Sequence, residues 1–200
     1  MTPRTTIQPF AERLRPALLT VLGFLAAMWG EEGLDGLAFG GRLDAYGILP
    51  RTETGLRGIL FEPFLHDGFA HLISNTVPFA LLAFIILLRG LARFWAVTLT
   101  VMALGGLAVW LFAPANTLHI GASGLVFGYL GYLVAAGFFE RDTTGILIGL
   151  GVLAVYGGVL WGVLPVTPGV SWQSHLFGLI AGVLAARWFS RSARARRLPS

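Results

Sequence analysis

Six apolar runs dominate the chain, at 17–30, 69–88, 94–112, 120–139, 144–164 and 172–189. The hydrocarbon core of a bilayer is about 30 Å thick and a helix rises about 1.5 Å per residue, so roughly 20 apolar residues cross it. Lipid offers no partner to backbone N–H and C=O groups, which makes helix the form for runs of this length. The sequence is 56% hydrophobic and 12% charged, too apolar for a soluble domain of its size. The expected fold is therefore an all-α membrane protein, a six-transmembrane-helix bundle.

The first run is the weakest, since about 14 residues rise only about 21 Å. Arg13 and Arg15 before it resemble the basic flank of a signal peptide. Met28-Trp29-Gly30 is a poor cleavage site, however, so a retained helix is expected.

Every basic residue is arginine, and with six spans their placement sets the orientation. Arg4, Arg13, Arg15, Arg89, Arg93, Arg141, Arg187, Arg191, Arg194, Arg196 and Arg197 fall on one side, leaving Arg42, Arg51 and Arg57 on the other. The positive-inside rule then puts both termini in the cytoplasm. Residues 1–16 form a cytoplasmic segment, 17–189 the membrane domain and 190–200 a basic cytoplasmic tail. Glu31, Glu32, Asp35, Asp44, Glu53, Glu62 and Asp67 all fall in the long first loop outside. The net charge of +4 does not point to nucleic acid, because the arginines flank apolar runs. The partner is the lipid bilayer, and arginine without lysine suits a GC-rich bacterium and its inner membrane.

In this topology the second, fourth and sixth spans all enter from the outer face. His71 and Asn75, Ser123, and His175 lie in the first turns of those spans. They should share one depth, with helix N-termini directed at them, where a developing anion is stabilised. A serine hydroxyl needs a base to become a nucleophile, and histidine suits that task near neutral pH. Ser123 and His175 form the expected pair, and no acidic residue falls inside a predicted span to complete a triad, so a dyad is expected. His71 and Asn75, spaced i and i+4, share a helix face and offer neutral donors, with the Ser123 N–H as a third.

Glycines allow the close approach that such contacts need. Gly124 and Gly128 form one small-xxx-small pair, and Gly178 and Gly182 form another on the His175 face. Phe127, one turn after Ser123, can set a ring against the imidazole. Each signal also has a plainer reading: Gly-x-Ser-Gly as helix packing, histidine as an interfacial residue, Phe127 as ordinary core. Convergence at one depth on three helices favours the site. No cysteine and no His-Glu-x-x-His occurs, so no metal and no cofactor is expected.

Three segments resemble the rhomboid family of intramembrane serine proteases: Phe64-Leu-His66-Asp-Gly-Phe-Ala-His71-Leu-Ile-Ser-Asn75, Gly121-Ala-Ser123-Gly124-Leu-Val-Phe127-Gly128, and Ser174-His175-Leu-Phe-Gly178-Leu-Ile-Ala-Gly182. The resemblance runs from about Leu56 to the end of the sixth span. It implies a serine endopeptidase of the minimal six-helix bacterial form, acting on transmembrane protein substrates near the outer membrane face. It places the nucleophile on Ser123, the base on His175 and the oxyanion hole on His71, Asn75 and Ser123, with Gly121, Gly124, Phe127 and Gly178 in support. His66 falls where the family keeps a mainly structural histidine. The first loop usually carries Trp-Arg, where this chain has Leu56-Arg57. His119 and Asn116 match nothing in the family pattern and read as residues of the loop entering the fourth span. Two other readings remain: an inactive relative that binds or escorts membrane proteins, and a small transporter relaying protons through His66, His71 and His175. The fifth span, rich in glycine, is expected to pack loosely.

Overall fold

The computed structural model describes residues 10–195, about 80% of the chain being helical. Six long helices follow in order: α1 (Phe10–Leu34), α2 (Gly68–Leu88), α3 (Leu91–Phe112), α4 (Ser123–Glu140), α5 (Thr143–Tyr156) and α6 (Trp172–Ala195). Among the described residues no strand forms; a single bridge pairs Ile48 with His119. Among the described residues five stretches are long and apolar enough to cross a membrane: Glu12–Phe39, Gly68–Leu88, Leu91–Phe112, Ser123–Glu140 and Thr143–Val163. α6 has the length, but its first turn is Trp172-Gln173-Ser174-His175 and Arg187 lies near its end.

The first helix corrects one expectation. It is not a short 17–30 run: α1 continues to Leu34 and passes into a wider π turn at Asp35–Phe39. Glu31, Glu32 and Asp35 are therefore on this element and not in the loop after it. Glutamate is a good helix former, so a charged pair does not by itself end a helix. The stop comes at Gly40, whose left-handed φ of 63° lets its N–H reach the Asp35 carbonyl at 2.7 Å. The Asp35 carboxylate then accepts the Leu43 N–H at 3.0 Å and fixes the exit of the chain.

α4 is the axis of the bundle. Of its apolar window 61% is buried, against 11% for α5, which lies at the periphery as its composition suggested. Tyr129 and Tyr132 of α4 are fully buried and still find partners: Tyr129 pairs with Thr98 at 2.8 Å, and Arg93 donates to the Tyr132 hydroxyl at 3.0 Å. Buried polar tips need such partners. At the C-terminal end of α4, Glu140 meets Arg93 at 2.8 Å and Arg89 at 3.2 Å, clamping the ends of α2, α3 and α4 together. The opposite end of the bundle holds Ser123.

The contact between α4 and α6 is made by glycine on glycine. A Cβ on Gly178 would run into the Gly124 carbonyl oxygen, and one on Gly182 into the Gly128 carbonyl oxygen. Both glycine pairs foreseen in the sequence thus face each other, and the two backbones touch.

Candidate active site

The peptide that carries Ser123 into α4 is held from behind. The Gly121 N–H donates to the Glu62 carbonyl at 2.8 Å, and the Ala122 N–H donates to His66 Nε2 at 3.3 Å. Gly121 has φ +115°, a region open to glycine, and a Cβ there would lie 2.7 Å from the His71 ring. The chain can therefore turn sharply beneath His71 and start α4 with Ser123 as its first residue. With no residue one turn earlier in the helix, the Ser123 N–H has no intrahelical acceptor.

Ser123 Oγ and His175 Nε2 stand 2.8 Å apart. The other imidazole nitrogen, Nδ1, lies 2.8 Å from the Gly162 carbonyl. A carbonyl can only accept, so Nδ1 carries the hydrogen and Nε2 is left to accept from the serine hydroxyl. That carbonyl belongs to the 3-10 segment Gly157–Val163, which follows α5. Phe127 lies flat against the imidazole, with centroids 4.2 Å apart and planes 8° from parallel.

His71 and Asn75 line the same cavity as Ser123 and His175, a hollow of about 1030 Å³. The Asp67 N–H approaches His71 Nδ1 at 3.4 Å, which leaves Nε2–H as the donor. Asn75 departs in part from the expected free donor. Its amide nitrogen already donates to the His71 carbonyl one turn back, at 3.0 Å, so one amide hydrogen remains for other work. Gly124 and Gly178 sit one residue and three residues after the serine and the histidine, in the helix contact described above.

His66 is neutral and occupied. Its Nδ1 faces the Phe64 carbonyl at 3.2 Å while Nε2 accepts from Ala122, and burial pulls its pKa down to about 4. It supports the Ser123 segment, as the resemblance implied. Arg57, standing after Leu56, lays its guanidinium over the Tyr46 ring at 4.2 Å.

Three participants were not foreseen. The Gly162 carbonyl is one, His119 another, and Glu62 with Ser174 the third. His119 is 2% exposed and lines the cavity, with Nδ1 2.5 Å from Ser171 Oγ and Nε2 2.8 Å from Thr117 Oγ1. Glu62 is also buried and accepts from Ser174 Oγ at 2.6 Å. Among the described residues no group of three or more His, Asp and Glu side chains is disposed to hold a metal ion.

The arrangement sets a serine hydroxyl against an imidazole nitrogen, beside several donors and a cavity of about 1030 Å³. Acyl-transfer chemistry draws on groups of these kinds. The sequence profile described as Rhomboid domain matches residues 53–192. The chain is 44% identical over 205 residues to the uncharacterized protein Rv1337 of Mycobacterium tuberculosis, covering 98% of this chain and 85% of that one. It is 44% identical to ML1171 of Mycobacterium leprae, covering 90% and 74% of the two chains. A Bacillus subtilis protein named "Putative rhomboid protease YdcA" is 29% identical, covering 86% and 87%. With the profile spanning well over half its length and these relatives nearly all of it, the chain belongs to the rhomboid family.

Proposed function

We propose that this protein is an intramembrane serine endopeptidase that cleaves transmembrane proteins near the outer face of a bacterial inner membrane, with six spans and both termini cytoplasmic. The observation that carries the reading is the 2.8 Å contact between Ser123 Oγ and His175 Nε2, with Nδ1 turned to a carbonyl. In that tautomer the imidazole can take the serine proton as Oγ attacks a peptide carbonyl. The tetrahedral oxyanion is received by His71 Nε2–H, the remaining Asn75 amide hydrogen and the Ser123 N–H. The imidazolium returns its proton to the leaving amine, and the C–N bond breaks to leave an acyl-serine. Water from the cavity then attacks the ester, with His175 again as base. Loss of one such oxyanion donor costs about 10²- to 10³-fold in rate in other acyl-transfer enzymes.

Substrates of this reaction must present an unfolded stretch, because an intact helix hides its carbonyls. The loosely packed α5 serves as the lateral gate. The excess of arginine at the Arg89 end of the bundle supports the orientation, since that end also carries Arg93 and Arg141. Single cysteines introduced into this cysteine-free chain, probed from either side of sealed vesicles, test it.

The activity is tested with a fluorophosphonate probe on protein in liposomes. Wild type is expected to be labelled, and Ser123→Ala and His175→Ala to stay unlabelled; equal labelling of all three rejects the assignment. The reading as an inactive escort predicts no labelling of wild type. A proton relay through His66, His71 and His175 predicts flux that survives Ser123→Ala, and the two backbone contacts that occupy His66 count against it.

A further inference from the structure

Glu62 is a buried carboxyl residue behind the site, only 7% exposed, and the chemistry above does not use it. It precedes α2 by a few residues yet holds two distant pieces of chain. Its backbone carbonyl accepts the Gly121 N–H, two residues before Ser123, at 2.8 Å. Its carboxyl group meets Ser174 Oγ, one residue before His175, at 2.6 Å. Thus one residue ties the segment bearing the hydroxyl to the segment bearing the imidazole.

The contact at Ser174 is part of a longer series. Ser171 Oγ lies 2.8 Å from Ser174 Oγ, His119 Nδ1 2.5 Å from Ser171 Oγ, Thr117 Oγ1 2.8 Å from His119 Nε2, and the same Oγ1 2.7 Å from the Pro114 carbonyl. Each contact needs one hydrogen. Ser171 Oγ supplies it to Ser174, Ser174 Oγ to Glu62, and Thr117 Oγ1 to Pro114, while the two nitrogens of His119 bridge Ser171 and Thr117.

Burial acts on the two ends in the same sense, pushing Glu62 up to about 7 and pulling His119 down to about 4. The series is a continuous line of side-chain contacts that runs from Glu62 along the first turn of α6 to Pro114.

We infer that Glu62 is a positioning residue for this reaction: its carboxyl group, through Ser174, and its backbone carbonyl, through Gly121, keep the starts of α6 and α4 in register, so that His175 stays on Ser123. The inference rests on the proteolytic reading. It assigns Glu62 no contact with substrate. The glutamine side-chain oxygen can accept from Ser174 in the same place, whereas leucine offers no acceptor.

The test compares Glu62→Gln, Glu62→Leu, Ser174→Ala and Ser123→Ala in the full chain in liposomes, cleaving a fluorogenic transmembrane peptide. Glu62→Gln is expected to keep kcat within about threefold, whereas Glu62→Leu and Ser174→Ala lower it by about tenfold or more with KM nearly unchanged, the signature of a displaced base. Glu62→Leu combined with Ser174→Ala should be no slower than the worse single variant, since both break one contact. Wild-type kcat in folded Glu62→Leu, or a Glu62→Gln variant as slow as Glu62→Leu, overturns the inference. If Glu62→Leu does not fold, Ser174→Ala decides alone, and full kcat there overturns it. A Ser123→Ala protein that still cleaves removes the proteolytic reading itself, whereas inactive Ser123→Ala beside fully active Glu62→Leu removes only the role of Glu62.

Discussion

The imidazole of His175 rests face to face on the ring of Phe127, 4.2 Å between centroids and 8° from parallel. Phe127 is one turn beyond Ser123 on α4, so the helix that supplies the hydroxyl also supplies the plate that fixes the plane of the base. Phe127→Leu keeps the position apolar but removes the flat surface. The variant is expected to lose less than about 1.5 kcal/mol of stability, because the volume change is modest. Its fluorophosphonate labelling rate should fall about tenfold, because a small misplacement of a catalytic group costs up to about 100-fold. Labelling at the wild-type rate would show that the stack is packing alone.

Gly178→Ala puts a methyl group into the Gly124 carbonyl, where only backbone can yield. It should destabilise the protein by about 1–3 kcal/mol and abolish labelling, since α4 and α6 must part. Gly151→Ala on α5 meets nothing within 4 Å. There the same substitution should stabilise by about 0.4–1 kcal/mol through the unfolded state. Thermal midpoints in one detergent compare the two directly.

Glu62 gives a pH-dependent prediction. Its pKa in the folded protein is raised to about 7 by burial, so the folded state holds this proton more tightly than the unfolded state. The protonated group costs little at pH 4.5, and stability is lost as pH rises from there through about 7. Glu62→Gln has no such ionisation. Its thermal midpoint should match wild type near pH 4.5 and lie above it at pH 8, where the stability difference is on the order of 3 kcal/mol. A constant difference across this range would mean that the carboxyl group is solvated in the folded state.

The gate is testable because the chain has no cysteine of its own. A disulfide tethering α2 to α5 beside the cavity is expected to stop cleavage of a transmembrane substrate while leaving reaction with a small fluorophosphonate within about threefold, since the dyad itself is undisturbed. Reduction should restore cleavage. Undiminished cleavage by the tethered protein refutes entry between these helices.

Much of this arrangement was legible in the sequence, for reasons specific to lipid. Apolar runs can only be helices there, and a serine, two histidines and an asparagine stand out against them. The paired glycines at i and i+4 announced the α4–α6 contact, and their carbonyl neighbours bear it out. The end of α1 was misread because Glu31, Glu32 and Asp35 look like loop residues, when the stop signal lies further on at Gly40. Gly162 could not be found, since every residue offers a carbonyl and only folding shows which one meets His175. Glu62 escaped for another reason: its partner Ser174 is 112 positions away, and neither residue type signals the other.

The hydrogen bond from His175 Nδ1 ends on Gly162, in the Gly157–Val163 segment that continues α5. The element proposed to swing aside for substrate therefore also grips the base. Any outward movement of that segment withdraws the carbonyl and frees the imidazole to rotate, so an open door disarms the nucleophile. Such an interlock would keep the hydroxyl idle towards passing lipid esters and let it act only once a substrate is enclosed and α5 has returned.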